Sequence, residues 1–213
     1  MSKVVVFGAA GQAGQRIVAE AAGRGHEVTA VVRHPETAPS FGDGVAVVTG
    51  DATSAESIGA VAKDADVLVT AAGKSGPEMY RTVAETLVGV VAALPQPAPR
   101  IVHVGGGATL TTPDGTRFLD LPSFPAQHRD EAAGQAEALA AYRASTGASW
   151  TYVSPPPVHF HIGERTGKYR TGLDQPVVGD DGQARLSYED LAVAIVDEIE
   201  RPQFVNTRFT AGY

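Results

Sequence analysis

The sequence has 213 residues, 43% hydrophobic and 19% charged, which fits a single globular domain with a sizeable core. Seventeen basic residues against 24 acidic give a formal net charge of −7, so neither nucleic acid nor an anionic membrane is an expected partner. The absence of cysteine removes disulfides, thiolate metal sites and cysteine nucleophiles.

The opening MSKVVVFGAAG carries one lysine and then a glycine-broken apolar run of strand length. It reads as neither a signal segment nor a membrane span, and a soluble cytoplasmic protein is expected. Lys3–Phe7 is the first predicted strand. Gln12–Gly23 follows as a helix, with Ile17, Val18 and Ala21 at helical spacing and Gly23 or Gly25 as its stop. Glu27–Val32 and Val45–Thr49 are the second and third strands. A helix starts near Ser54 and carries Ile58, Val61 and Ala62. Asp66–Thr70 is a fourth strand, apolar throughout Val67–Val69, as a strand covered on both faces should be.

The helix Pro77–Leu94 has the clearest pattern, with Tyr80, Val83, Ala84, Leu87, Val88, Val91 and Leu94 on one stripe. Arg100–Val104 is the fifth strand, Arg129–Ser145 an alanine-rich helix and Ser149–Val153 the sixth strand. Beyond it, SPPPVHFHIGERTGKYR is loop-like, with a short hairpin expected around Lys168–Val178. Ser187–Asp190 resembles a capping box opening a last helix, and Thr207–Thr210 a closing strand. Strands alternating with helices through short connections imply an α/β fold: one doubly wound parallel sheet of the Rossmann type. The region 154–188 is then a small C-terminal substrate side made mainly of loops.

Gly8, Gly11 and Gly14 form GxxGxxG between the first strand and the first helix. Glycine there permits a tight turn and close approach of a pyrophosphate. The helix N-terminus offers free N–H groups and partial positive charge to it. Gly8, Ala10, Gly11, Gln12, Ala13 and Gly14 are therefore candidate nucleotide contacts. The second strand ends in Arg33 and His34 rather than the carboxylate that holds the ribose hydroxyls in NAD sites. Arg33 can grip a 2′-phosphate, which favours NADP, with NAD as the other possibility. Asp51 and Ala52 follow the third strand, where Asp51 either accepts from an adenine amine or caps the next helix. Ala71, Ala72 and Gly73 close the fourth strand, Gly105–Gly107 follow the fifth, and Ser154 and Pro155 end the sixth. All lie on the carboxyl edge, where such sheets bind ligands.

VVVFGAAGQAGQRIV, GDATSAES, DVLVTAAG, RIVHVGGGATL, QAEALAAYRASTGASWTYVSPPP and LSYEDLAVAIVDEIE together resemble the atypical short-chain dehydrogenase/reductase superfamily. The resemblance is closest to small NAD(P)-binding proteins of the biliverdin-reductase-B-like and NmrA-like group. It implies hydride transfer from NADPH to a small acceptor such as a flavin or quinone, or an NADP-binding redox sensor without turnover. A nucleotide-sugar epimerase is a third possibility.

Standard members of the superfamily use a serine after the fifth strand and a Tyr-x-x-x-Lys pair on the next helix. No tyrosine here has lysine four residues later; registering the helix on Glu137 puts Arg129 and Ala133 at those positions. Thr109 is the nearest hydroxyl, and Thr109, His128 and His159 are the candidates for placing a substrate or relaying a proton. His103, inside the fifth strand, reads as a packed residue, and six scattered histidines offer no metal site. Phe118, Leu119, Leu121 and Phe124 suggest an apolar pocket for a planar acceptor, or alternatively a small packed subdomain. A monomer or homodimer is expected.

Overall fold

Short β-branched runs alternating with amphipathic helical stretches fold into one sheet with helices on both faces. The computed structural model describes residues 1–73 and 76–213. Its strands are β1 (Lys3–Phe7), β2 (Glu27–Val32), β3 (Ala46–Thr49), β4 (Val67–Thr70), β5 (Arg100–Val104), β6 (Trp150–Ser154), β7 (His159–His161), β8 (Arg170–Gly172), β9 (Arg185–Ser187) and β10 (Thr207–Gly212). The helices are α1 (Gln12–Gly23), α2 (Ala55–Ala62), α3 (Pro77–Ala93), α4 (Arg129–Ala144) and α5 (Tyr188–Glu200).

The main sheet runs β3-β2-β1-β4-β5-β6-β10-β8, parallel except for the last pair. Strand order reverses between β1 and β4, and this switch point is where such sheets open a crevice. Alternate residues of β1 feed two cores. Val4 and Val6 pack with Ile17 and Val18 of α1 and Leu191 and Ile195 of α5. Val5 and Phe7 pack with Ile58 of α2, Leu87 of α3 and Leu139 of α4. Burial on both faces explains why the inner strands β1 and β4 read as apolar runs rather than as alternation.

The predicted elements through α4 stand within a residue or two of their expected limits. The C-terminal third differs. The hairpin expected around Lys168–Val178 does not form, because β8 pairs antiparallel with β10 instead. The stretch read as loop contains β7, which pairs in parallel with β9. Three-residue strands whose partners lie some 25 to 40 residues away leave no local pattern to read.

Ser187 does cap α5, its Oγ accepting from the Asp190 N–H at 3.0 Å. The return half of a capping box is replaced. Tyr213 Oη accepts the Ser187 N–H at 3.2 Å, while the Asp190 carboxylate accepts from Thr166 Oγ1, the Gly167 N–H and Tyr213 Oη at 2.6–2.8 Å. Burial alone would raise the pKa of Asp190, but these donors hold it below the ordinary value. A depressed folded-state pKa stabilises the protein above the unfolded-state value of about 3.9, and that stability is lost as pH falls through the folded value. Asp190→Asn is therefore expected to lower stability at neutral pH and flatten the loss between about pH 5 and pH 2 in a urea-unfolding series. Parallel acid limbs for the two proteins would reject this role.

Candidate functional site

β1 ends at Phe7 and the chain turns at Gly8, whose φ of +72° is left-handed. A Cβ there would lie 2.6 Å from the Ala72 nitrogen, so only glycine lets this turn rest against the end of β4. The Gly11 N–H donates to the Gly8 carbonyl at 3.0 Å, closing the turn. Gly14, in the first turn of α1, sits on the same carbonyl: a Cβ on it would fall 2.1 Å from that oxygen. α1 is capped at Gly11 without any side-chain hydrogen bond. Its first N–H groups therefore face the turn as donors to an anion.

A cleft of about 190 Å³ opens at the switch point. Gly8, Ala10 and Gly11 form one side, and Ala71, Ala72 and Gly73 another. Arg33 closes it from β2, and Asp51 and Ala52 from the loop after β3. Asp51 Oδ1 accepts from the Thr53 N–H and Oγ1, both at 2.8 Å. These bonds, with the nearby Arg33 guanidinium, hold its carboxyl below the ordinary range. The site thus offers an arginine at one wall and an ionised carboxylate beside it.

Sequence reasoning did not single out Phe7, Val31, Val32, Thr53, Met79 and Val83 as cleft residues, although all line it. Met79 and Val83 are four residues apart on α3 and share a face. Periodicity identifies that face but not that its N-terminal end looks into a groove. Asp-x-Thr after β3 was a readable signal, since such sequences bond back on their own backbone.

The remaining expected contacts lie elsewhere. Gln12, Ala13 and Gly14 form the first turn of α1, outside the cleft lining. The space left by Gly105, Gly106 and Gly107 is taken by the protein itself. A Cβ on Gly105 would fall 2.0 Å from the Tyr152 ring, on Gly106 3.1 Å from Gln135, and on Gly107 2.5 Å from the Pro155 carbonyl. Ser154 is fully buried, with its Oγ 3.1 Å from Thr109 Oγ1. Thr109 is buried too, its hydroxyl 2.7 Å from the Gly106 carbonyl, and its own carbonyl accepts from Arg208 Nη1 at 2.9 Å. His128 is exposed at the start of α4 and His159 is exposed in β7. The three candidate acceptor-side residues therefore occupy three separate elements.

His103 is packed, as its place in the strand implied. It lies 1% exposed between Tyr142, whose Oη is 3.1 Å from Nδ1, and the stacked ring of Tyr152. Burial pushes its pKa down to about 3, so it is neutral at physiological pH. Arg129, at the position of the missing tyrosine, is spent on the loop before it. It donates to the carbonyls of Leu119, Leu121 and Phe124 at 3.2–3.3 Å and stacks on the Phe124 ring. The segment holding Phe118 and Phe124 is thus pinned onto α4, with both rings partly buried. Beside Gly73, Tyr80 Oη donates to Glu131 Oε1 at 2.8 Å, joining α3 to α4.

Among the described residues no cluster of three or more His, Asp or Glu side chains is arranged to hold a metal ion. Among the described residues no helix is long and apolar enough to cross a membrane.

The model of a family described as NAD(P)H-binding matches residues 8–202. The chain is 35% identical over 214 residues to YwnB, an uncharacterized protein of Bacillus subtilis, spanning 98% of this chain and 97% of the relative. A Bacteroides thetaiotaomicron protein provisionally named an epimerase has a similar structure, with TM-score 0.90, 32% identity and coverage of 100% of this chain and 97% of that one. A Streptococcus pneumoniae protein provisionally named an NADH-flavin reductase gives TM-score 0.86 and 31% identity, covering 100% and 99%.

Proposed function

We propose, from the premise that this chain belongs to the NAD(P)H-binding family, that it is an NADPH-dependent reductase. Its acceptor would be a small planar molecule, a flavin or quinone. The observation that carries this reading is the cleft at the switch point, with a glycine turn at one end and Arg33 at the other. The residues fit a dinucleotide on structural grounds. Gly8 and Gly11 line the cleft with backbone alone, α1 lacks a side-chain cap, and Arg33 with its five donors suits a phosphate on the ribose. When bound, the nicotinamide supplies the hydride.

The chain's own contribution is binding and orientation. The α1 turn would hold the pyrophosphate, Ala71–Gly73 admit the sugar and nicotinamide side without obstruction, and Arg33 fix the adenosine end. A flavin or quinone takes its proton from water, so the missing Tyr and Lys do not prevent the reaction. An epimerase needs acid–base groups at the sugar carbon, and the position of the tyrosine is held by Arg129, which serves the loop. Of the three acceptor-side candidates, His128 and His159 remain accessible for proton relay, while Thr109 shapes the loop after β5.

The test is direct. Purified protein is mixed with NADPH and, in turn, FMN, FAD and menadione, while the reduced-nicotinamide absorbance is followed. NADPH should be consumed with at least one acceptor. Saturable NADPH binding without consumption would overturn the reductase in favour of an NADP-binding sensor, the reading that the absent acid–base pair favours.

A further inference from the structure

The first turn of α1 is connected to the segment after β6 by an uninterrupted chain of side-chain contacts. Arg16 Nη1 donates to both the Gln12 carbonyl and Gln12 Oε1 at 2.9 Å. Its Nε donates to Glu189 Oε1 at 2.5 Å, and Glu189 Oε2 accepts the Gly163 N–H at 2.8 Å. An aromatic path runs beside the polar one. The Arg16 guanidinium lies 5.7 Å from the Tyr188 ring centroid, and that ring packs on Phe160 at 3.9 Å. Both charged side chains are mostly shielded, with 21% and 19% exposure, so the pair is less screened than a surface bridge.

The chemistry of the chain gives it a direction. Arginine has only donors, so Gln12 must turn its amide oxygen toward Arg16 and keep its two amide N–H donors for another partner. Those donors stand in the first turn of α1, whose uncapped N-terminus is suited to an anion. On the other side, Glu189 uses one oxygen for Arg16 and the other for the Gly163 backbone. The Arg16–Glu189 pair therefore spans from the nucleotide turn to the loop that follows β7.

We propose that Arg16 is a positioning residue that couples nucleotide binding to the 160–167 segment, by orienting Gln12 toward the pyrophosphate and holding Gly163 through Glu189. This rests on the dinucleotide reading of the cleft. By linkage, a nucleotide that steadies Gln12 steadies the loop, and release of the loop weakens the nucleotide by the same factor. The loop would thus be ordered when NADPH is present, before an acceptor arrives.

The experiment is amide hydrogen exchange on the full chain, with and without saturating NADPH, after NADPH binding has been measured for each protein. In the wild type, NADPH should slow exchange at residues 8–15 and, about tenfold, at 160–167. In Arg16→Met the slowing at 8–15 should persist while that at 160–167 falls to less than about twofold. Glu189→Gln keeps the side-chain volume and should lose the distal response in the same way, which preserves the test if Arg16→Met does not fold. Slowing at 160–167 that is absent in the wild type, or equal in all three proteins, overturns the coupling while leaving the dinucleotide reading intact. A wild type with no saturable NADPH binding overturns both.

Discussion

Arg33→Ala is expected to raise the Kd for NADPH about 10- to 100-fold, with NADH changed less than about threefold. Arg33 lines the cleft at the end of β2, where a ribose 2′ substituent would lie. Charge-assisted hydrogen bonds from a guanidinium to a phosphate contribute about 1.5–3 kcal/mol, the size of the expected loss. NADH has a hydroxyl at that position and gains little from a cation. Asp51 should stay ionised in the variant, because its leading stabilisation comes from the Thr53 donors rather than from Arg33. Titrating both nucleotides into both proteins by fluorescence gives the four constants. Equal losses for NADPH and NADH would reject the role of Arg33 as a 2′-phosphate ligand.

Gly14→Ala is expected to destabilise the fold by on the order of 3 kcal/mol, lowering Tm by about 6–12 °C. The added carbon would meet the Gly8 carbonyl oxygen at 2.1 Å, and Ala9 Cα and the Gly8 carbonyl carbon at 2.8 Å. All three are backbone atoms, so no side-chain rotation relieves the clash and α1 must lift from the turn. The same movement would displace the N–H groups of its first turn, and NADPH affinity should fall with stability. Gly59→Ala provides the contrast. Gly59 lies within α2 with nothing near its missing Cβ, so alanine there should gain about 0.5–1 kcal/mol from helix propensity. Thermal melts of the two variants would settle the matter: a Gly14→Ala protein as stable as wild type would show that the close approach is not a constraint.

The contrast between these glycines shows how far the sequence is readable. GxxGxxG between a strand and a helix is a local pattern, because turn, cap and helix start all lie within a dozen residues. The same holds for the parallel strands, whose apolar runs follow from burial on two faces. Other assignments needed the third dimension. Gly105, Gly107 and Gly8 all stand at a strand's carboxyl end and all lack room for a Cβ, yet Gly8 lines the cleft while Gly105 and Gly107 pack against Tyr152 and the backbone of Pro155–Pro157 away from it. Thr109 has the position expected of an acceptor-side hydroxyl, but it is bonded to the Gly106 carbonyl and packed by Arg208, which is 99 residues distant. β8 found β10 rather than a hairpin partner nearby. Each depends on a neighbour far along the chain.

Composition and pattern by themselves determined the fold class, the order of elements through α4 and the glycine turn before α1. These are consequences of periodicity, capping and glycine conformation within short windows. Tertiary structure alone decided which strand-end glycines line the cleft and which pack only against the protein's own rings and carbonyls. It also decided that Arg129 and Thr109 serve the scaffold, and that Arg16 and Glu189, 173 residues apart, meet. The physical reason is the same in every case: a vacancy beside an α-carbon has no sequence signature of its own, and only packing determines what fills it.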